Sequence, residues 1–213
     1  MEVLPLKWIR MLTTEMKSEK KAILGGTFDP VHIGHINLFH SISEFTDITT
    51  LYVIPAYVSA FKKGKKSASF SDRMAMLNLA IIDYADIYPL DALNIVVSDF
   101  EGKKKGISYT SETIRELFDK LEDNGKVNFV IGDDLIEGLP RWHDYEYLKS
   151  HVRFYCFTRD GGEKKNIEGV EVIYIDSPQT IASSTMFRDG EEGLITPSVM
   201  EYIESEGLYQ NKR

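Results

Sequence analysis

Gly25-Gly26-Thr27-Phe28-Asp29-Pro30-Val31-His32-Ile33-Gly34-His35 is the stretch that decides how this chain is read. The apolar run Ala22-Ile23-Leu24 precedes it, and a helix-like pattern from Ile36 to Phe45 follows. Two glycines let backbone amides come close to a ligand. A helix start adds unpaired N–H groups and the positive end of its dipole. Imidazoles three residues apart face the same ligand around such a start. Strand, glycine turn, paired imidazoles and helix together predict a phosphate site.

Strand and helix signals alternate outward from this point. Strands are expected at 21–25, 48–54, 94–98, 126–131, 152–157 and 170–175, in short runs rich in Val, Ile, Tyr and Phe. Such runs suit strands buried on both faces. Helices are expected at 34–45, 70–84, 110–123 and 197–206. The second has Ser69 or Ser71 as its cap and Met74, Leu77 and Ile81 on one face. The third begins near a capping signal at Ser108–Ser111. The last has Thr196 as N-cap, Pro197 in its first turn and Gly207 just past its end. The alternation predicts an α/β, Rossmann-like, doubly wound and mainly parallel sheet. Its ligands then bind at the carboxyl ends of the strands, where strand order reverses, and the glycine turn falls there. A single domain over 21–213 is expected, with 1–20 as a loose extension in which Met11 and Met16 are alternative starts.

Size and composition fit this picture. The chain has 213 residues, of which 43% are hydrophobic and 27% charged, enough for a sizeable core with a solvated surface. Its net charge of −8 argues against broad nucleic-acid binding and against an anionic membrane surface. No apolar run approaches the ~20 residues of a bilayer span. The first twenty residues have neither a long apolar core nor a small-residue cleavage site, so a secretory leader is not expected. Cys156 is the one cysteine. It fits a reducing, cytoplasmic setting, and its neighbours Phe154, Tyr155 and Phe157 point to a buried structural thiol. The lysine-rich run 61–66 reads as an exposed loop. Oligomeric state stays open, a homo-oligomer included.

The opening stretch resembles the GxFDPxHxGH signature of the nucleotidyltransferase superfamily. A second piece, Ile181-Ala182-Ser183-Ser184-Thr185-Met186-Phe187-Arg188, is similar to the ISSTxxR signature, with Ala182 in place of one serine. Three further segments resemble the SYT, GxD and LPxW positions of bacterial nicotinate-nucleotide adenylyltransferases. They are Ser108-Tyr109-Thr110, Gly132-Asp133-Asp134 and Leu139-Pro140-Arg141-Trp142. The ending Tyr202-Ile203-Glu204-Ser205-Glu206-Gly207-Leu208-Tyr209 looks like that family's common ending. The resemblance implies adenylyl transfer from ATP to nicotinate mononucleotide in NAD biosynthesis. Mg²⁺ would be carried by the ATP phosphates, with no resident metal.

The same resemblance implies site residues. Gly25, Gly26, Thr27 and Phe28, with His32 and His35, would hold ATP phosphates. Ser183, Ser184 and Thr185 would turn the first amides of a helix toward phosphate oxygens, and Arg188 would clamp the β- and γ-phosphates. His32, His35 and Arg188 would carry catalysis by stabilising charge as pyrophosphate departs. Tyr109, Thr110, Gly132, Asp134 and Trp142 would hold the mononucleotide. In that arrangement Trp142 stacks on the pyridine, Asp134 accepts from a ribose hydroxyl, and amides around Thr110 and Trp142 take the nicotinate carboxylate. Lys62 occupies the lysine position of a PPHK loop, although Ser59-Ala60-Phe61 replaces Pro-Pro-His. Arg159 falls in a loop on the adenine side.

Blander readings stand beside these. Trp142 also suits a half-buried core position, Asp134 a helix N-cap, and Lys62 a solvated loop. Arg73 reads as one half of a structural ion pair. His40, His143 and His151 read as surface or packing residues. The HxxH spacing of His32 and His35 suits zinc only with further Cys or acidic ligands, which the sequence does not offer. Rival activities are adenylyl transfer to nicotinamide mononucleotide or phosphopantetheine, or nucleotide sensing without catalysis. A Rossmann dehydrogenase is the weakest rival, since no GxGxxG follows the first strand and no acid sits at the end of the second.

Overall fold

The computed structural model describes residues 19–60, 67–158, 164–178 and 181–210. Its centre is one sheet in the order β4-β2-β1-β7-β8-β9. These strands are β1 (Lys21–Gly26), β2 (Thr50–Pro55), β4 (Asn94–Val97), β7 (Lys126–Gly132), β8 (Val152–Thr158) and β9 (Glu171–Asp176). All of these pairings are parallel. One antiparallel strand, β6 (Glu122–Asp123), folds back on β7. A separate parallel ladder joins β3 (Val58–Ser59) to β5 (Ile107–Ser108). Order reverses between β1 and β7, so the crevice opens at the carboxyl ends of these two strands.

Helices cover both faces. On one lie α1 (Ile33–Phe45), α2 (Phe70–Ile87) and α8 (Pro197–Ser205). On the other lie α4 (Thr110–Leu121), α5 (Asp133–Ile136) and α6 (Tyr145–His151). The core is accordingly split by the sheet. Ala22 and Leu24 of β1 face a cluster with Ile36, Phe39, Met76, Leu77 and Val199. Ile23, between them, faces a cluster with Ile114, Phe129, Ile136, Trp142 and Phe154. Period-two alternation on a strand covered on both sides gives this division. Two short helices, α3 (Phe100–Lys104) and α7 (Ser184–Arg188), sit at the rim.

The caps explain several boundaries. Ser69 caps α2 by accepting from the Asp72 N–H at 3.1 Å, and Asp72 answers by accepting from the Ser69 N–H. Thr196 and Pro197 open α8 and Gly207 follows its end, at the expected positions, although the Thr196 side chain makes no capping hydrogen bond; Gly207 has a φ of 60°. The capping signal expected at Ser108–Ser111 resolves differently. Tyr109 is the N-cap of α4 and offers no side-chain cap, while Ser111 is already helical and buried. Residues 1–18 lie outside the described residues. Lys20 is tied in, donating its N–H to Thr49 Oγ1 at 3.0 Å and pairing with Asp47.

Candidate active site

The turn after β1 is built by sterics first. Phe28 sits at a φ of 50°, a left-handed backbone that a bulky residue rarely adopts. The buried ring of Phe28 lies under Gly26, where an added Cβ would come within 2.8 Å of it. Glycine is therefore required at 26. Buried Arg73, 1% exposed, braces the turn from below. It donates to the carbonyls of Thr27 at 2.8 Å, Ala56 at 2.7 Å, Tyr57 at 3.1 Å and Ala68 at 3.3 Å. The expected ion pair at Arg73 is thus replaced by carbonyl acceptors. The fork of the guanidinium fits the converging backbones of two turns better than one carboxylate.

Asp29 is the second brace, and sequence reasoning gave it no role. It is 3% exposed. Its Oδ1 accepts from the Ala68 N–H at 3.0 Å and from the Tyr209 hydroxyl at 2.7 Å. Its Oδ2 lies 3.6 Å from the Arg188 guanidinium, which also donates to the Asp29 carbonyl. One carboxylate thereby joins the turn, the chain ahead of α2, the C-terminal segment and α7. Burial and Asp29 together push the Tyr209 hydroxyl well above the ordinary tyrosine range.

The two signature segments meet here. Ser184 Oγ donates to the Pro30 carbonyl at 2.9 Å, across 154 positions of sequence. Ser183 is the N-cap of α7 and accepts from the Met186 N–H at 3.1 Å. Arg188 also reaches Thr185 Oγ1 at 3.2 Å. At the start of α1, His32 donates its backbone N–H to His35 Nδ1 at 3.2 Å. An Nδ1 that accepts leaves the ring proton on Nε2, so His35 carries a donor there. The two imidazoles lie 3.8 Å apart between centroids, and His35 packs on Phe28 at 4.9 Å.

Beside the turn is a cavity of about 320 Å³. Gly25, Gly26 and Thr27 line it together with Glu101, Ser108, Thr110, Thr113 and Trp142. The Trp142 ring is 9% exposed and meets Phe129 edge-on at 6.2 Å between centroids. Trp142 is therefore both a core residue and a wall of the cavity. Its backbone N–H is already donated to the Leu139 carbonyl at 2.9 Å, so the amide expected at Trp142 for a carboxylate is engaged within its own loop. Thr110 opens α4, where the helix N-terminus faces the cavity.

Other expected residues take other places. Tyr109 is absent from the cavity wall and stacks on His143 at 4.3 Å. Asp134 lies exposed in the first turn of α5, whose N-cap is Gly132, so the capping alternative is not realised. Its carboxylate folds over Gly132, within 2.6 Å of where a Cβ there would stand. Gly132 also borders a second cavity of about 100 Å³, with Gly34, Asn37, Phe157 and Ser177. Lys62 and Arg159 lie outside the described residues. His40 pairs with Asp91 at 2.9 Å and stacks on Tyr88. Cys156 is fully buried, and desolvation with Asp133 and Asp134 nearby pushes its thiol up to about 12. Among the described residues, no group of three or more His, Cys, Asp or Glu side chains is placed to hold a metal ion, and no helix is long and apolar enough to cross a membrane.

Glu101 is the other residue missed. Only 2% exposed, it accepts from Ser108 Oγ at 2.6 Å and from Thr113 Oγ1. Its setting among Lys103, Lys104 and Lys105 reads in sequence as a solvated charged loop, and only the fold turns it inward.

Comparison with known proteins agrees with this arrangement. Residues 23–190 match the cytidylyltransferase-like family model. A probable nicotinate-nucleotide adenylyltransferase of Enterococcus faecalis is 31% identical over 89% of this chain and 84% of its own length. One from Oceanobacillus iheyensis is 33% identical over 88% and 95%. Among solved structures, the Plasmodium falciparum nicotinic acid mononucleotide adenylyltransferase complexed with NaAD superposes with a TM-score of 0.69 at 22% identity. That superposition covers 90% of this chain and 98% of the other, and it carries the fold alone. With its two signature segments docked on each other and this identity spanning most of its length, the chain belongs to the cytidylyltransferase-like family, among the nicotinate-nucleotide adenylyltransferases.

Proposed function

We propose that the protein transfers the adenylyl group of ATP to nicotinate mononucleotide, giving nicotinate adenine dinucleotide and pyrophosphate. The observation that carries this reading is the Ser184–Pro30 contact at 2.9 Å, which joins both phosphate-facing segments beside the Trp142-walled cavity. The triphosphate lies between the turn of Gly25, Gly26 and Thr27 and the α7 segment of Ser183, Ser184 and Thr185. His32 and His35 donate to the α-phosphate, and Arg188 turns its fork to the β- and γ-phosphates. Adenine takes the side of Gly34 and Gly132. The pyridine ring stacks on Trp142, and the nicotinate carboxylate sits at the α4 start by Thr110, where the helix dipole favours an anion. Asp134 accepts from the ribose at the cavity mouth.

The mononucleotide phosphate attacks the α-phosphorus in line. Its second pKa of about 6 leaves it anionic at neutral pH, so no side chain has to take a proton from it. Catalysis is then positioning plus stabilisation of charge at the α-phosphate. On the phosphate side the side chains of His32, His35, Ser183, Ser184, Thr185 and Arg188 can donate hydrogen bonds, and Asp29 is spent on structural partners. This donor set fits phosphate oxygens, with Mg²⁺ arriving on the triphosphate. When bound, Mg²⁺ neutralises charge on the departing pyrophosphate.

The test is a mass-spectrometric assay with ATP, Mg²⁺ and either nicotinate or nicotinamide mononucleotide. Pyrophosphate and the acid dinucleotide are expected, with the acid substrate faster. Faster use of the amide would overturn the substrate assignment. ATP bound without turnover of either would leave only a sensor.

A further inference from the structure

We propose that Glu101 selects a positively charged ring, its buried carboxylate pairing within the cavity with the pyridinium of the mononucleotide. This rests on the mononucleotide reading above and adds to it a residue that neither signature contains.

A carboxylate is almost never fully buried without a charged partner, because desolvation is costly. Glu101 is 2% exposed and lines the same cavity as Trp142 and Thr110. Its partners are neutral. Ser108 Oγ accepts the Tyr57 N–H at 2.9 Å and donates to Glu101 Oε2 at 2.6 Å. Thr113 Oγ1 lies against Oε1 and also 3.2 Å from the Tyr109 carbonyl, so its one proton is shared between two acceptors. Among the described residues no cationic side chain offsets it. The lysines that follow turn away, Lys103 to Asp99 and Lys104 to Glu112 and Glu116. Among the described residues the Glu101 carboxyl at the cavity wall has no cationic partner, and a pyridinium mononucleotide brings a positive charge to it. The π-face of Trp142, in the same cavity lining, favours the same cation. A neutral ring of equal shape would gain the stacking and lose the pairing.

The experiment is calorimetric binding of nicotinate mononucleotide and of its 1,4-dihydro form, whose ring is uncharged, to the whole protein and to Glu101→Gln. Glutamine keeps the shape and removes the charge. Wild type is expected to favour the cationic ring by roughly tenfold or more, at the strength of a partly buried pair. Glu101→Gln should lose most of that preference while ATP affinity holds. Equal weakening of both ring forms would make Glu101 a strut for Ser108 and Thr113 and overturn the proposal. Should Glu101→Gln not fold, the wild-type ratio still decides, since a ratio near one overturns it. Thr113→Val, which keeps the charge, should then retain the preference. Wild-type protein that turns over nicotinate mononucleotide without preferring the charged ring sinks this inference alone. Protein that binds neither form sinks the substrate reading with it.

Discussion

His35 shows how one backbone hydrogen bond prepares a side chain for chemistry. Accepting the His32 N–H at Nδ1 fixes the tautomer that carries a donor at Nε2. Replacing His35 with Ala should lower kcat by ~10²–10³ at saturating ATP, the usual cost of one transition-state donor. Turnover within a few-fold of wild type would refute that role. Cys156 is an opposite case. With its thiol raised to about 12, it should resist alkylation at pH 8 in the native protein and react only on unfolding. At this scale the sequence was partly legible. The buried thiol and the core position of Trp142 could be read, because apolar neighbours announce burial. Asp29 and Glu101 could not, since each owes its role to partners distant in sequence or to burial that no local pattern announces.

Among the elements, the decisive joint is between the β1 turn and α7. Replacing Gly26 with Ala drives a methyl group into the Phe28 ring, and Phe28 is held at a positive φ beneath it. A loss of about 1–3 kcal/mol is expected, as for overpacked cores, measured by denaturant unfolding. The C-terminal segment belongs to the same joint through Tyr209. Removing its hydroxyl with Tyr209→Phe should cost about 1 kcal/mol. The hydroxyl has a folded-state pKa above its unfolded value near 10. Its contribution is therefore present below about pH 10 and is lost as pH rises from there through the folded value. Thermal melts from pH 9 to 11.5 should fall more steeply for wild type than for Tyr209→Phe. Equal slopes would detach Tyr209 from Asp29. Helices with strong boundary signals were legible almost to the residue, as at Pro197 in the first turn of α8 and Gly207 past its end. The two-residue strands β3, β5 and β6 were not, because so short a ladder leaves no periodicity and is dictated by what packs on it.

For the whole molecule, the parallel order β4-β2-β1-β7-β8-β9 brings the ends of β1 and β7 together at the switch point. A doubly wound, mainly parallel sheet followed from the alternation of strands and helices, whereas the strand order and the exact closure of the cradle did not. An overall charge of −8 repels a triphosphate, so binding must come from local donors. The account's central claim is that two segments grip one triphosphate from opposite sides. Titrating ATP and AMP against wild type, His35→Ala and Arg188→Ala tests it most directly, because AMP keeps only the α-phosphate. Arg188→Ala should weaken ATP by about tenfold or more, as expected for a charge-assisted fork, and leave AMP unchanged, while His35→Ala weakens both. Equal loss of ATP and AMP in Arg188→Ala would reduce that arginine to a strut on Asp29 and contradict the account.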